Sequence, residues 1–396
     1  MVNILLARWL PPKEYGAFAV ALSVFYLLAG FHTALLTEPM MVFGAGKYRE
    51  HFYKYLGMLF YAHWGISLLI AGGLSIAAFV MKHLSSLVMA KALAGLALAS
   101  PFLLFLWFTR RACYVPMRPK WAVVGSGLNF LFILVGIFLL WWEKLFTSFS
   151  GLMLLGITAG MASFFLIFVK LRPLLHSFTG NPTIRMVIYD HWSYGKWVVL
   201  ESFVYLASAQ LWILLIPIIL GLQQSAAIVA IRNLYRPVNF FMQAIGVVLL
   251  PTIAFWINRK DEKQKLYFKV LIFATISALF VGIYGLILTI FAKSLLHFLY
   301  KGHYDQYWLL VPLFGGVAVF TVGLHYLLLA LKAKAIVRPL PFIWGAMTII
   351  NVLFSIPLML KFDVYGAVAG YLFSYIFAFF VGFLIFKKHF SVKIKT

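Results

Sequence analysis

The chain is a succession of apolar runs separated by short polar connections, and each full run approaches the ~20 residues that a helix needs to cross the hydrocarbon core of a bilayer. After a stub, Met1 to Leu10, the runs are Tyr15 to Met41, Tyr55 to Val80, Leu87 to Phe108, Ala122 to Trp142 and Leu152 to Val169. A polar segment containing Gly180, Asn181 and Pro182 follows. Then come Trp197 to Leu220, Ala226 to Ile257, Val270 to Ala292, Tyr307 to Leu331, Phe342 to Leu360 and Val364 to Phe386. A barrel strand alternates lipid-facing and lumen-facing residues, whereas Ala122 to Trp142 is apolar on every face, so these runs are helices.

The expected fold is an all-α polytopic membrane protein of two six-helix lobes, residues 1–180 and 181–396, with twelve transmembrane helices, the first of them truncated. A ten-residue stub rises only ~15 Å as a helix, against a hydrocarbon core of ~30 Å. It cannot cross alone, and the chain is expected to start late. No basic leader or small-residue cleavage site marks the stub as a signal peptide. The longest hydrophilic stretch, about Lys170 to Lys196, is too short to bury a core of its own, so the chemistry belongs to the helix bundle.

Charge orients the bundle. With a net charge of +23, nucleic acid is the first partner to consider, but the cations sit in short loops between apolar runs, where they meet anionic head groups instead. Alternate loops carry 23 Lys and Arg on one side and 8 on the other, with Arg232 and Arg236 left inside a run. The richer side is expected to be cytoplasmic, which places the carboxyl terminus in the cytoplasm and the protein in the cell inner membrane. Cys113 is the single cysteine, so no intramolecular disulfide or thiolate zinc site forms. No Walker loop, paired-carboxylate motif, metal-ligand cluster or nucleophile elbow occurs; neither an enzyme nor a cofactor or metal site is expected.

Arg232 and Arg236 are the sharpest candidates, because four-residue spacing within one run puts both guanidiniums on one helical face inside the membrane. Asn239 and Gln243 continue that face. Arginine binds phosphate oxygens through paired hydrogen bonds, so a pyrophosphate is a natural ligand for this substrate-binding set; snorkelling to the interface is the structural alternative. Glu38 and Glu201 are candidates for ion coupling or for anchoring a helix end, in the case of Glu201 by pairing with Lys196. Pro237, beside Arg236, is a candidate hinge among the helix breakers Pro217, Pro251, Pro312 and Pro357. The pairs Gly125 with Gly127 and Gly366 with Gly370 mark close helix packing. His32, His63 and His325 lie in apolar runs without catalytic neighbours in the sequence.

Several stretches resemble the polysaccharide transporter family, the Wzx-type O-antigen and exopolysaccharide flippases of the multidrug/oligosaccharidyl-lipid/polysaccharide flippase superfamily. Leu6-Ala7-Arg8 followed by Pro12-Lys13-Glu14-Tyr15-Gly16 is similar to that family's first turn, with Pro11 standing where the family has glycine. Arg110 to Val115 leading to Arg118-Pro119-Lys120 and Gly125-Ser126, and Ala230 to Pro237, are similar as well. The resemblance implies a polyisoprenoid (undecaprenyl) pyrophosphate-linked oligosaccharide as substrate and a cationic cavity between two lobes. It also implies alternating access and a role in exopolysaccharide or lipopolysaccharide biosynthesis. Anionic membrane lipids and the polysaccharide polymerase machinery are the further partners expected. Many relatives have an acidic residue in the middle of the seventh helix, where this chain has Gln210-Leu211-Trp212.

Two other functions compete. A multidrug cation antiporter of the same fold calls for an acidic cavity, which the two membrane arginines oppose. A membrane glycosyltransferase or polymer ligase calls for a long outer loop, and the longest here is about Lys293 to Gln306.

Overall fold

The computed structural model describes residues 12–84, 87–143, 145, 147–175, 180–220, 222–259, 265–300 and 304–390. The stub and its truncated first helix lie outside the described residues. Among those described the fold is all helical, and nine helices are long and apolar enough to cross a membrane. The chain divides into two compact units, Met1–Val199 and Leu200–Thr396.

In the first unit α1 (Pro12–His32) runs through a π turn (Thr33–Thr37) into α2 (Glu38–Ala45), and α3 (Phe52–His83), α4 (Leu87–Tyr114) and α5 (Pro119–Trp142) follow. Next, α6 (Ser148–Phe164) ends in a second π segment (Phe165–Leu171), and α7 (Ile184–Ile219) begins. The centre is α4, which packs on α1, α3, α5 and α6. It is apolar all round, as a helix surrounded by other helices must be. By contrast α5 turns Val123, Leu131, Val135, Phe138 and Trp142 outward, the surface a lipid-facing helix offers. Glu14, the acid of the first family-like stretch, caps α6: its Oε2 accepts the Ser148 backbone N–H at 2.8 Å, satisfying one of the orphan donors of a helix start.

The expected lobe boundary at 180/181 precedes α7, whereas the division into units falls inside that helix. The first half of α7 belongs to unit 1 because polar side chains tie it there. Lys47 Nζ lies 2.6 Å from Asp190, Tyr48 also donates to Asp190, and Tyr194 donates to Glu38 at 2.8 Å. His191 Nδ1 reaches Leu35 O at 2.9 Å, within the π turn, so its Nε2 accepts from Tyr55, 2.6 Å away. Close approach is permitted by Gly195, where a Cβ would meet the Ala34 carbonyl at 3.0 Å. The polar residues 184–196, expected to form part of a loop, are therefore the first turns of a helix.

Unit 2 continues with α8 (Leu222–Asn233), α9 (Arg236–Ile257), α10 (Leu266–Ile290), the short α11 (Ala292–Tyr300), α12 (Leu310–Ala333) and α13 (Leu340–Phe390). Here α12 is the buried centre, packed on α9, α10 and α13. The two runs expected at 342–360 and 364–386 form the two halves of α13, joined by non-helical Phe362 and Asp363, the latter at φ 53. These halves fold back as a hairpin. A Cβ at Gly366 would collide with the Leu358 backbone and one at Gly370 with Ser355. Of the other glycine pair, Gly125 meets Leu166 while Gly127 has nothing within 4 Å, so only the first marks close packing.

The expected single run Ala226 to Ile257 is broken. Pro237 has no N–H to give and its ring would press on the carbonyl four residues back, at Asn233, so α8 stops there and α9 starts at Arg236. The last carbonyls of a helix need outside partners, and tyrosines supply them: Tyr300 donates to Ala230 O at 2.9 Å and Tyr284 to Leu234 O at 2.8 Å. Tyr284→Phe should therefore lower stability by about 1 kcal/mol, read from the unfolding midpoint of the purified protein. An unchanged midpoint would show that the break holds without its tyrosine.

Candidate functional site

Among the described acidic residues of 200–396, Glu201 is the one in the body of a long helix, α7; Asp305 stands between helices and Asp363 at the α13 turn. It is buried. The expected anchor, Lys196, points outward over Trp197. Glu201 pairs instead with Lys332, in the last turn of α12, whose Nζ lies 2.9 Å from Oε2. Its Oε1 accepts from Trp344 Nε1 at 3.3 Å. Three helices, α7, α12 and α13, thus meet on one carboxylate.

Around this ion pair lies a cavity of about 290 Å³ within unit 2. Tyr205, Trp344 and Tyr375 give it an aromatic wall, with the Tyr205 and Trp344 rings 4.9 Å apart in an edge-on arrangement. Ser202, Asn239, Thr321 and His325 supply its polar groups.

The structure brings some of the candidate residues together and separates others. Asn239 and Glu201 both line the cavity. Arg232, half-buried in the last turn of α8, lies within electrostatic reach of Tyr205 and Tyr371. Arg236, exposed at the start of α9, is near Tyr300 instead. The helix break therefore gives the two guanidiniums different surroundings, contrary to the single helical face expected of them. Gln243 is exposed on α9 and does not line the cavity. Pro237 is exposed and stands at the break itself.

Glu38 belongs to a separate cluster in unit 1, where Tyr194 donates to it. Beside it, Arg111 donates to Thr33 at 2.9 Å and to Thr37, and the Glu38 charge acts on the Arg111 guanidinium. His32 and His63 are each other's partners at 3.0 Å, with His63 stacked on Phe105 and Phe108. Outside the spans, burial and the hydrogen bond to Asp190 push the Tyr48 phenol up.

Lys332, Trp344 and Arg111 were not legible as site residues. Lys332 and Arg111 stand at the ends of apolar runs on the basic side and read as loop cations. The available signal is that each is followed by a small residue, Ala333 and Ala112, that prolongs the helix.

No protein-family model and no curated protein matches this sequence. Among solved structures the chain is similar to a MATE transporter in the straight conformation, at 14% identity and a TM-score of 0.80 over 100% of this chain and 93% of that one. A mutant of the Vibrio cholerae MATE transporter VcmN gives 14% identity and a TM-score of 0.77 over 98% and 91% of the two chains. An outward-facing multidrug resistance MATE family transporter of the MOP superfamily gives 13% and 0.73 over 98% and 90%. The fold is thus that of MATE-type transporters. The chain is a multi-pass membrane protein with a transporter fold.

Proposed function

We propose that the chain is an alternating-access transporter whose cargo is an anionic amphiphile, a polyisoprenoid pyrophosphate-linked oligosaccharide, moved across the cell inner membrane. One observation carries the choice of cargo: among the described residues, the carboxylate in the body of a long helix of unit 2, that of Glu201, is already paired with Lys332. A site for organic cations needs a carboxylate available to them. With Glu201 matched, the charge left over on this stretch of unit 2 is that of Arg232 and Arg236, which suits phosphate oxygens.

A second reading has its own support. The structural relatives are named as MATE transporters, one of them as a multidrug resistance transporter, which favours a multidrug cation antiporter. Proteoliposomes separate the two. On the first reading a fluorescent polyisoprenoid pyrophosphate oligosaccharide crosses the bilayer and a cationic dye is not driven out by a proton or sodium gradient. Losing charge-assisted hydrogen bonds worth about 1.5–3 kcal/mol should weaken cargo binding roughly ten- to hundredfold in Arg232→Ala/Arg236→Ala. Gradient-driven dye efflux without lipid flipping would establish the antiporter. A reporter fused after residue 396 tests the cytoplasmic placement of the carboxyl terminus.

A further inference from the structure

Unit 2 carries a larger opening than the one around Glu201, a groove of about 730 Å³ along α10, α12 and the second half of α13. Its lining reaches from Leu271 to Thr289 on α10, which at a helical rise of ~1.5 Å per residue is ~27 Å. The groove therefore follows nearly the whole ~30 Å of a hydrocarbon core. Phe320, Phe379 and Phe383 line one side, ring against ring, and Leu279, Ile283 and Leu286 form an exposed apolar rim. Gly282 gives the groove width, since a Cβ there would meet nothing nearer than Val319 Cγ2, at 3.8 Å.

Among the described residues the lining has no polar side chain besides Thr275 and Thr289. Thr289 already donates to Gly285 O at 2.7 Å. Such a surface binds hydrocarbon, and its length decides which hydrocarbon. A phospholipid chain ends near the bilayer midplane, ~15 Å down, and fills only half of the groove. One chain that fills all of it must be about twice as long, as a polyisoprenoid is. Charge places the head group. Tyr267 stacks on Phe386 with ring centroids 5.4 Å apart, joining α10 to α13 next to the lining residues Leu271 and Phe383. Around this stack stand Lys265 and Lys269 at the start of α10 and Lys387 and Lys388 in the last turn of α13. Lysines in that number at a membrane surface suit a phosphate.

We propose that the groove holds the chain of a polyisoprenoid phosphate, with the head group at the lysine end and the chain running across the membrane. The lipid's identity rests on the transport reading above. A groove of full membrane depth keeps the chain covered while its head changes sides.

The test uses the purified full chain in nanodiscs of phosphatidylethanolamine and phosphatidylglycerol, with two photoreactive probes. One is undecaprenyl phosphate with a diazirine near the middle of its chain; the other is phosphatidylglycerol with a diazirine at the end of one acyl chain. The first should label the half of the groove away from the lysines, from Gly282 to Thr289 and from Pro312 to Val319, and unlabelled undecaprenyl phosphate should compete it away. Gly282→Phe fills the groove where space is free and should lower that labelling about tenfold, the effect of roughly two buried methylenes denied to the chain. Gly127→Phe, at an open position of α5, is the control, and both variants should unfold with the wild type. If Gly282→Phe unfolds early, the wild-type labelling and its competition decide alone. Scattered labelling by the first probe, labelling that a folded Gly282→Phe leaves unchanged, or labelling by the phospholipid probe that excess undecaprenyl phosphate does not displace, overturns the proposal. Flipping of lipid-linked oligosaccharide with an unlabelled groove would leave the transport reading standing without the groove. A labelled groove without flipping would leave the lipid site and remove the transport reading.

Discussion

Lys332→Met should destabilise the protein by about 3–5 kcal/mol, because removing one partner of a buried ion pair leaves the other charge stranded. The Glu201 side chain is 9% exposed and that of Lys332 18%, so water compensates little of the loss. Trp344 Nε1 remains as a donor to one carboxylate oxygen, and a single indole N–H cannot replace an ammonium. The double variant Glu201→Gln/Lys332→Met should recover most of the stability, since glutamine keeps an acceptor for Trp344 without a charge to solvate. Thermal unfolding of the three proteins in one detergent reads the difference. If Lys332→Met unfolds with the wild type, Glu201 is hydrated through the cavity and the pair holds nothing together.

That pair also shows what the sequence made legible and what it hid. Apolar run length gave the helical class and most of the spans, because the bilayer fixes how many residues a helix needs to cross it. It placed Glu201 in a helix and Lys332 in a loop. No periodicity indicates that a lysine one residue past Leu331 turns back toward a glutamate on another helix. Contacts between distant helices leave no local trace, and for the same reason Lys196, the neighbour in sequence, stood in as the expected partner. The arginines failed differently. Four-residue spacing puts side chains on one face only while the helix is continuous, and the break that Pro237 causes falls between Arg232 and Arg236, from Asn233 to the start of α9. Pro237 reads from the sequence as a candidate hinge, and its power to end α8 at Asn233 also decides where the arginines stand.

Of the changes that leave charge untouched, Gly366→Ala should be the most damaging. The α13 hairpin turns at Phe362 and Asp363 so tightly that its halves meet backbone to backbone. A methyl group at residue 366 overlaps the carbonyl of Leu358, and one at residue 370 overlaps the backbone of Ser355. Neither obstacle is a flexible side-chain end that could swing away. Relief requires the halves to separate, which loosens the contact of Ser355 Oγ with Ala367 O, 3.4 Å away across the hairpin. Forcing volume into a packed interior costs ~1–3 kcal/mol and sometimes more, and a backbone obstacle places Gly366→Ala at the upper end. Helix propensity works the other way, favouring alanine over glycine by up to ~1 kcal/mol. Gly127→Ala and Gly345→Ala isolate that opposing effect, because nothing lies within 4 Å of a Cβ at either position. Those two variants should unfold at or above the wild-type temperature, while Gly366→Ala unfolds well below it. A Gly366→Ala protein as stable as the controls would mean that the hairpin halves do not touch at this point, and that the small residues there serve some end other than packing.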